Sequence, residues 1–229
     1  LRQAADSQHR ERMQLADAMA DISHQLRTPL TAINLTLSML GREGLPEQER
    51  RALLQELRRL VTRMEWLVET LLKMSRIDAG AVSFREESCR AADIIQRAVQ
   101  PLAVPMELRG ITLETAAGEE CFTGDAAWSA EALGNVLKNC MEHAASYIRV
   151  SARETALFTE ITVQDDGPGF RAEDLPRLFE RFYRGKDAAP ASVGIGLALT
   201  RMVLSIYTRS LRAITHVRKS VFLQLCRLN

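Results

Sequence analysis

The chain has 229 residues, of which 46% are hydrophobic and 26% are charged, so it can bury a core and is not disordered throughout. The 30 basic and 29 acidic residues leave a formal net charge of +1, which gives no general attraction to nucleic acid or to an anionic membrane. No apolar run approaches the ~20 residues that a membrane helix needs, and the four cysteines form no CxxC pair of the kind that binds zinc.

The first 80 residues predict two helices joined by a turn. Apolar residues recur at alternating steps of four and three, as in a supercoiled helix, with a break at Gly41, Gly44 and Pro46. The first apolar seam is Leu26, Leu30, Ile33, Leu37 and Leu40, and the second is Leu53, Leu57, Leu60, Met64, Leu67, Leu71, Met74 and Ile77. One hairpin cannot bury both seams well, so we expect a homodimer whose two hairpins form a four-helix bundle. The alternative is that the helices pack on the rest of their own chain.

From about residue 82 the pattern changes to mixed helices and strands. Helices are predicted over 91–108, 124–143 and 193–206, and strands over 111–114, 147–153, 156–164, 211–216 and 220–227. Because the order lacks regular βαβ alternation, we expect an α+β sandwich, not a doubly wound sheet. The predicted domains are residues 1–80 and 81–229.

The segment around His24 is the first with candidate chemistry. His24 lies two residues before Leu26 of the seam, which turns its ring about 200° away from the seam and outward. Pro29 cannot donate to the carbonyl of Gln25, so a kink is expected here. Thr28 is one turn after His24 and shares its face. A neutral imidazole is a competent nucleophile, although a lone surface histidine is usually inert.

Three further segments carry candidate binding residues. Asn135 and Asn139 share one helix face, where two amide oxygens can hold Mg²⁺ together with phosphate oxygens, although surface asparagines are also common. Asp165 follows an apolar strand, and a carboxylate at a strand end can accept a hydrogen bond from an exocyclic amine. The glycines after it, Gly167 and Gly169, let backbone approach a planar base, but the same residues also suit a plain turn.

The third segment joins a glycine pair to a helix. Gly194, Gly196 and Leu197 precede a helical run, and backbone N–H groups at a helix start bind phosphate. The spacing matches neither a P-loop nor a Rossmann motif. Before it, aromatic residues lie beside basic ones over 178–184, a pattern that also suits a core-packing hinge with solvated arginines.

In this order, the segments resemble those of the sensor histidine kinases of two-component systems. SHQLRTPL resembles the phosphoacceptor box, and the later segments resemble the N box (from Asn135), the G1 box (from Asp165), the F box (178–184) and the G2 box (from Gly194) of the ATP-binding domain. The resemblance implies the α/β sandwich shared with gyrase, Hsp90 and MutL ATPases. It implies that His24 is phosphorylated, that Gln25 and Thr28 stand at the catalytic positions beside it, and that Thr28 aligns water during dephosphorylation of the response regulator.

The resemblance also assigns the nucleotide site and the partners. It implies ATP and Mg²⁺ as cofactors, with Asn135 and Asn139 serving the metal and phosphates and Asp165 holding the adenine amino group. The residues that shape the pocket by this resemblance are Gly167, Gly169, Gly194, Gly196 and Leu197. The stretch 184–193 is expected to be a lid in which Arg184 and Lys186 are available to phosphates. The implied partners are a second copy and a response-regulator receiver domain. The chain is then expected to be the cytoplasmic portion of a membrane-anchored sensor protein, with no nucleic-acid partner.

Among the departures from the family pattern, two bear on catalysis and on ATP binding. Gln25 stands where the family usually has Glu or Asp, so it cannot accept the imidazole proton well, and Asp21 on the same face is a substitute base by hypothesis. Glu142 stands where the family commonly has Lys and brings negative charge toward the phosphates. Two alternatives therefore accompany the kinase interpretation: a degenerate module that binds nucleotide without efficient autophosphorylation, and a GHKL-type ATPase unrelated to signalling.

Overall fold

A computed structural model describes residues 2–155, 158–186, 188, 192–207 and 220–226. The chain divides into two compact units, Leu1–Lys73 and Met74–Asn229. The helices are α1 (Arg2–Leu40), α2 (Glu47–Asp78), α3 (Ala91–Val99), α4 (Ala103–Leu108), α5 (Ala126–His143) and α6 (Gly196–Tyr207). The strands are β1 (Glu87–Arg90), β2 (Thr112–Ala116), β3 (Cys121–Gly124), β4 (Tyr147–Glu154), β5 (Phe158–Asp165) and β6 (Ser220–Cys226). None of the helices in these ranges is long and apolar enough to cross a membrane.

The predicted helical hairpin is confirmed. The turn lies between Leu40 and Glu47, and Gly44 has the positive φ of 75° that glycine adopts without strain. Helix α2 begins with Glu47 and Glu49 in its first turn, where negative charge stabilises the helix dipole. Helix α1 continues through Pro29 without ending there.

The single hairpin leaves part of the predicted seam of α1 uncovered, as expected if one hairpin cannot bury both seams. Pro29 and Thr36, seven residues apart, are buried, whereas Leu30 and Leu37 of the predicted seam are each 49% exposed. The Thr36 hydroxyl donates to the carbonyl of Ala32 at 2.9 Å, which satisfies it inside the apolar contact. The stripe of leucines therefore does not coincide with the face that the hairpin itself covers, because a four-three repeat does not reveal which partner covers it.

The second unit contains a four-stranded mixed sheet with the order β2-β4-β5-β6. Strand β2 runs parallel to β4, and the other neighbours are antiparallel. Alternate residues of the central strands point into the core, which is why Ile148, Val150, Ile161 and Val163 are completely buried. The apolar side of α5 packs against them through Leu133, Val136 and Leu137. The predicted fold class, a helical hairpin followed by an α/β domain in an α+β chain, is confirmed.

Several predicted boundaries were wrong for local reasons. The helix predicted over 91–108 is interrupted by a 3₁₀ turn at Gln100–Leu102, because Pro101 and Pro105 lack the N–H groups that a continuous helix needs. Helix α5 begins at Ala126, since Asp125 is its N-cap and Gly124 ends β3.

Two strands were not predicted, and one predicted strand cannot be compared. Strands β1 and β3 are four residues each and form a separate antiparallel pair. The strand predicted over 211–216, together with the loops on either side of it, lies outside the described residues.

Candidate functional site

His24 lies on the exposed side of α1, as its position relative to Leu26 predicts. The Thr28 hydroxyl donates to the backbone carbonyl of His24 at 3.3 Å, so Thr28 lies one turn from the imidazole and on the same face. Gln25 is half-buried, and its carbonyl has no intrahelical donor because Pro29 stands four residues later. The result is an accessible ring beside a weakened turn of helix.

Asn135 and Asn139 lie on α5, one helical turn apart. Gly196, the first residue of α6, lies directly against Asn135, since a Cβ placed on Gly196 would be 3.3 Å from the Asn135 Oδ1. Among the described residues, the buried Nδ2 of Asn135 has no hydrogen-bond partner. A buried donor without a partner costs about 1–3 kcal/mol, so an oxygen-rich ligand that accepted from it would remove that cost.

The end of β5 lies next to the C-terminal half of α5. The Asp165 Oδ1 accepts from the backbone N–H of Gly167 at 2.8 Å. Gly167 also lies against the end of α5, where a Cβ would come 2.3 Å from the carbonyl oxygen of His143. Burial raises the pKa of the Cys140 thiol well above its ordinary value, and the nearby Asp165 carboxylate raises it further. The carboxylate predicted to bind an amine therefore lies at the junction of β5 and α5.

Asp166 is a residue of this junction that the sequence analysis did not select. Its carboxylate accepts hydrogen bonds from the backbone N–H groups of Ala145, Ser146 and Tyr147 and from the Ser146 hydroxyl. The Ser146 bonds, followed by those from Tyr147 and Ala145, hold the pKa of Asp166 well below its usual range. Through these hydrogen bonds, Asp166 connects the turn after β5 to the segment between α5 and β4.

The F box and the G2 box are also in contact. Gly194 has φ of 76°, and a Cβ there would come 2.3 Å from the carbonyl oxygen of Tyr183. Phe182 has φ of 62°, which is strained for an aromatic residue, and its N–H donates to the carbonyl of Gly194 at 2.9 Å. No residue with a Cβ could replace Gly194 without moving this strained turn.

The remaining predicted residues are placed as follows. Gly169 has φ of 78°, in the turn after Asp165. Leu197 packs against the hydrophobic core beside Gly196. Arg184 and Lys186 are exposed, and the Lys186 Nζ lies 3.7 Å from the Glu173 Oε1. Part of the predicted lid, residues 187 and 189–191, lies outside the described residues.

The residues of the second unit fit a magnesium nucleotide. Two asparagine amides alone cannot satisfy Mg²⁺, which requires six oxygen ligands and usually obtains several from phosphates and water. They suit a metal that arrives with a triphosphate. The unpartnered Nδ2 of Asn135 and the close approach of Gly196 lie on the same side of α5 and provide a donor and an open backbone for such a ligand.

Two family models match the chain. Residues 14–80 match the His Kinase A (phospho-acceptor) domain, and residues 124–225 match the histidine kinase-, DNA gyrase B- and HSP90-like ATPase. The signal transduction histidine-protein kinase/phosphatase MprB of Mycobacterium ulcerans is 31% identical over 93% of this chain. The histidine-protein kinase AfsQ2 of Streptomyces coelicolor is 31% identical over 80% of this chain. The chain spans only 42% and 35% of these two relatives.

The solved structures agree on the fold. Histidine kinase AdeS of Acinetobacter baumannii superposes with a TM-score of 0.72 at 18% identity, covering 90% of this chain and 98% of that chain. Full-length ShkA in complex with AMPPNP has a TM-score of 0.63 at 17% identity, covering 91% of this chain and 45% of that chain. Both likenesses span the hairpin and the α/β unit together.

Proposed function

Since the chain belongs to the sensor histidine kinases of two-component systems, we propose that its second unit binds ATP and that His24 accepts the γ-phosphoryl group. A ring nitrogen of His24 attacks the γ-phosphorus through its lone pair. The bond from that phosphorus to the β,γ-bridging oxygen breaks, ADP leaves, and the imidazole loses its other ring proton. The product is a phosphohistidine on the exposed side of α1.

The observation that carries the proposal is the buried, unpartnered amide nitrogen of Asn135 beside Gly196. Asp165, at the end of β5, is the acceptor proposed for the amino group of adenine. Asn135 and Asn139 are proposed to hold Mg²⁺, which neutralises phosphate charge when it is bound. In this proposal the base lies beside Asp165 and the phosphates lie beside Asn135, so that the nucleotide follows the C-terminal half of α5.

The second step of the proposal passes the phosphoryl group to an aspartate of a response-regulator receiver domain. Thr28 is proposed to align the water for the reverse task, dephosphorylation of that regulator, since its hydroxyl lies one turn from His24. The MprB relatives are named as both kinase and phosphatase. We further propose that the kinase portion works on the cytoplasmic side of a membrane-anchored sensor protein.

A homodimer is the third part of the proposal. Each helix of the hairpin carries apolar residues at seven-residue spacing whose side chains are 41–49% exposed. They are Leu30 and Leu37 on α1 and Leu54, Val61 and Val68 on α2. Burying apolar surface contributes about 25 cal/mol per Å², so these exposed residues favour a second hairpin as their cover. A four-helix bundle made from two copies would bury them.

Incubation with γ-labelled ATP tests the proposal. The wild-type chain should acquire one acid-labile label, and His24→Ala should acquire none while it binds ATP with unchanged affinity. Label on neither protein, with ATP binding intact, would favour the degenerate module. Steady ATP hydrolysis that survives His24→Ala would favour a GHKL-type ATPase.

A further inference from the structure

Asp174 is a buried carboxylate before the F box that the sequence analysis did not select. Its residue is 9% exposed, and the Tyr183 hydroxyl donates to its Oδ1 at 2.5 Å. At its other oxygen, a Cβ placed on Gly185 would come 3.0 Å from the Oδ2, so the backbone of Gly185 lies against the same carboxylate. One buried side chain therefore holds the residues on both sides of Arg184.

The backbone at Tyr183 lies near the residues proposed for the phosphates. A Cβ on Gly194 would collide with the carbonyl oxygen of Tyr183, so the two segments touch. Gly194 is two residues before Gly196, which lies against the Oδ1 of Asn135. The exposed side chain of Arg184 therefore leaves the chain within a few residues of the proposed phosphate site.

We propose that Asp174 and Tyr183 are positioning residues for Arg184, because they fix the backbone on both sides of it and so direct its guanidinium toward the phosphates of ATP. The proposal rests on the proposed function, since it requires that ATP occupies this site. A guanidinium binds phosphate oxygens in a fixed fork geometry, so its contribution depends on where its backbone is held. Holding that backbone before ATP arrives lowers the ordering cost of binding.

The ring of Tyr183 has a second contact that does not depend on the hydroxyl. The guanidinium carbon of Arg177 lies 4.3 Å from the centroid of the Tyr183 ring, which is a cation–π contact. Phenylalanine presents the same ring face to this cation. Tyr183→Phe therefore removes the hydrogen bond to Asp174 and keeps the ring packing.

The chain contains a matched control for this hydroxyl. Tyr147 on β4 also donates its phenolic hydrogen to a carboxylate of the same unit, that of Glu114 on β2. Tyr147→Phe removes the same kind of hydrogen bond and leaves the backbone of Tyr147 unchanged. Only the Tyr183 bond is next to Arg184, so the loss of a phenol–carboxylate bond in general is separable from the loss of positioning.

The test is a double-mutant cycle of ATP affinity, measured by calorimetric titration of the full chain with Mg-ATP. Arg184→Ala should lower the affinity at least about tenfold, since it removes a charge-assisted hydrogen bond. Tyr183→Phe should lower it about threefold to tenfold, the net value of one hydrogen bond. In the Arg184→Ala background it should have no further effect, because Tyr183 acts through Arg184. Tyr147→Phe should leave the affinity unchanged in both backgrounds.

An equal loss for Tyr183→Phe in both backgrounds would overturn the inference, because it would show a general effect on the pocket. Unchanged affinity in either Tyr183→Phe or Arg184→Ala would overturn it as well. If Tyr183→Phe melts at a much lower temperature than Tyr147→Phe, Asp174→Asn takes its place in the cycle with the same expected result, since asparagine keeps the size of the side chain and removes its charge. Wild-type protein that does not bind Mg-ATP would overturn the proposed function itself, whereas binding without coupling would overturn only the positioning role.

Discussion

Gly196 at the start of α6 lies against Asn135 on α5, so closely that a methyl group on Gly196 would come 3.3 Å from the Asn135 Oδ1. The two helices are held at this distance by Thr200, whose hydroxyl donates to the carbonyl of Ala132 at 3.0 Å. The orientation of the Asn135 amide is therefore set by helix packing before any ligand arrives. Preorganisation of this kind lowers the entropic cost of binding.

Gly196→Ala should weaken Mg-ATP binding. A contact of 3.3 Å is tighter than ordinary packing, so the Asn135 amide must turn or α6 must shift. We expect a loss of about threefold to tenfold in affinity, equivalent to one mispositioned hydrogen bond. Fluorescence titration with a labelled nucleotide measures it. Gly134→Ala is the control, because its new methyl group meets only the carbonyl of Ala98 at 3.9 Å and alanine favours a helix. Equal affinities for the two variants would contradict the prediction.

Gly167→Ala should disturb the turn after β5. Its Cβ would come 2.3 Å from the carbonyl oxygen of His143 and 2.7 Å from the Asp165 Oδ1, distances that require the backbone to move. We expect a loss of unfolding free energy of about 1–3 kcal/mol, the usual cost of overpacking, together with weaker ATP binding. Urea unfolding measures the first quantity. At Gly118 the nearest contact is the Glu120 side chain at 3.5 Å, so Gly118→Ala should unfold like the wild type.

The sequence predicted the helices and most strands better than it predicted which elements pack or pair with each other. The break at Gly41, Gly44 and Pro46 and the change of period near residue 82 were sufficient for the hairpin and the α/β unit. Strands β1 and β3 were missed because four residues are too few to show a period, and they form only through pairing with each other. The seven-residue repeat does not distinguish Leu30 and Leu37, which the single hairpin leaves exposed, from Pro29 and Thr36, which it buries.

In the candidate site, too, local features were predictable and contacts between distant residues were not. The spacing of Asn135 and Asn139 is local, so helix geometry alone places both on one face. The contacts of Gly167 with His143 and of Phe182 with Gly194 join residues that are distant in sequence, and no local pattern reports them. Asp166 was passed over because an Asp-Gly pair is read as a turn, whereas its role depends on N–H groups about 20 residues away.

Asp166→Asn should remove a pH-dependent part of the stability. The folded-state pKa of Asp166 is lowered by its hydrogen bonds, so the carboxylate stabilises the fold above the unfolded pKa of about 3.9 and loses that effect as the pH falls toward the folded value. The variant should therefore be less stable than the wild type at pH 7, and the difference should shrink below about pH 4. Denaturant unfolding at several pH values measures it. Asp93→Asn loses an exposed pair with Arg90 and one negative charge in the first turn of α3, so its difference from the wild type should be smaller.

Glu142→Lys should strengthen ATP binding. Glu142 is half-buried in the last turn of α5, three residues after Asn139. A carboxylate is unfavourable there because the C-terminal end of the helix dipole is negative. Lysine would reverse the charge, so we expect affinity to rise several-fold at low salt and the gain to decline as salt screens the charge. Glu107→Lys makes the same charge change near the end of α4 and should leave affinity unchanged. A gain of equal size in both variants would indicate a general field instead of a local contact.

Gln25→Glu should accelerate autophosphorylation of His24. A glutamine beside the nucleophile cannot accept the imidazole proton, whereas a carboxylate can, and general-base assistance contributes about 10²–10⁴-fold where geometry is favourable. Since Gln25 is half-buried beside the exposed ring, we expect a gain of at least about tenfold in the initial rate of acid-labile labelling at saturating ATP. The exposed Asp21 is the substitute base by hypothesis, so Asp21→Asn should slow the wild-type reaction and should have little effect when it is combined with Gln25→Glu. Unchanged rates in both single variants would show that proton removal does not limit the reaction and that neither position supplies the base.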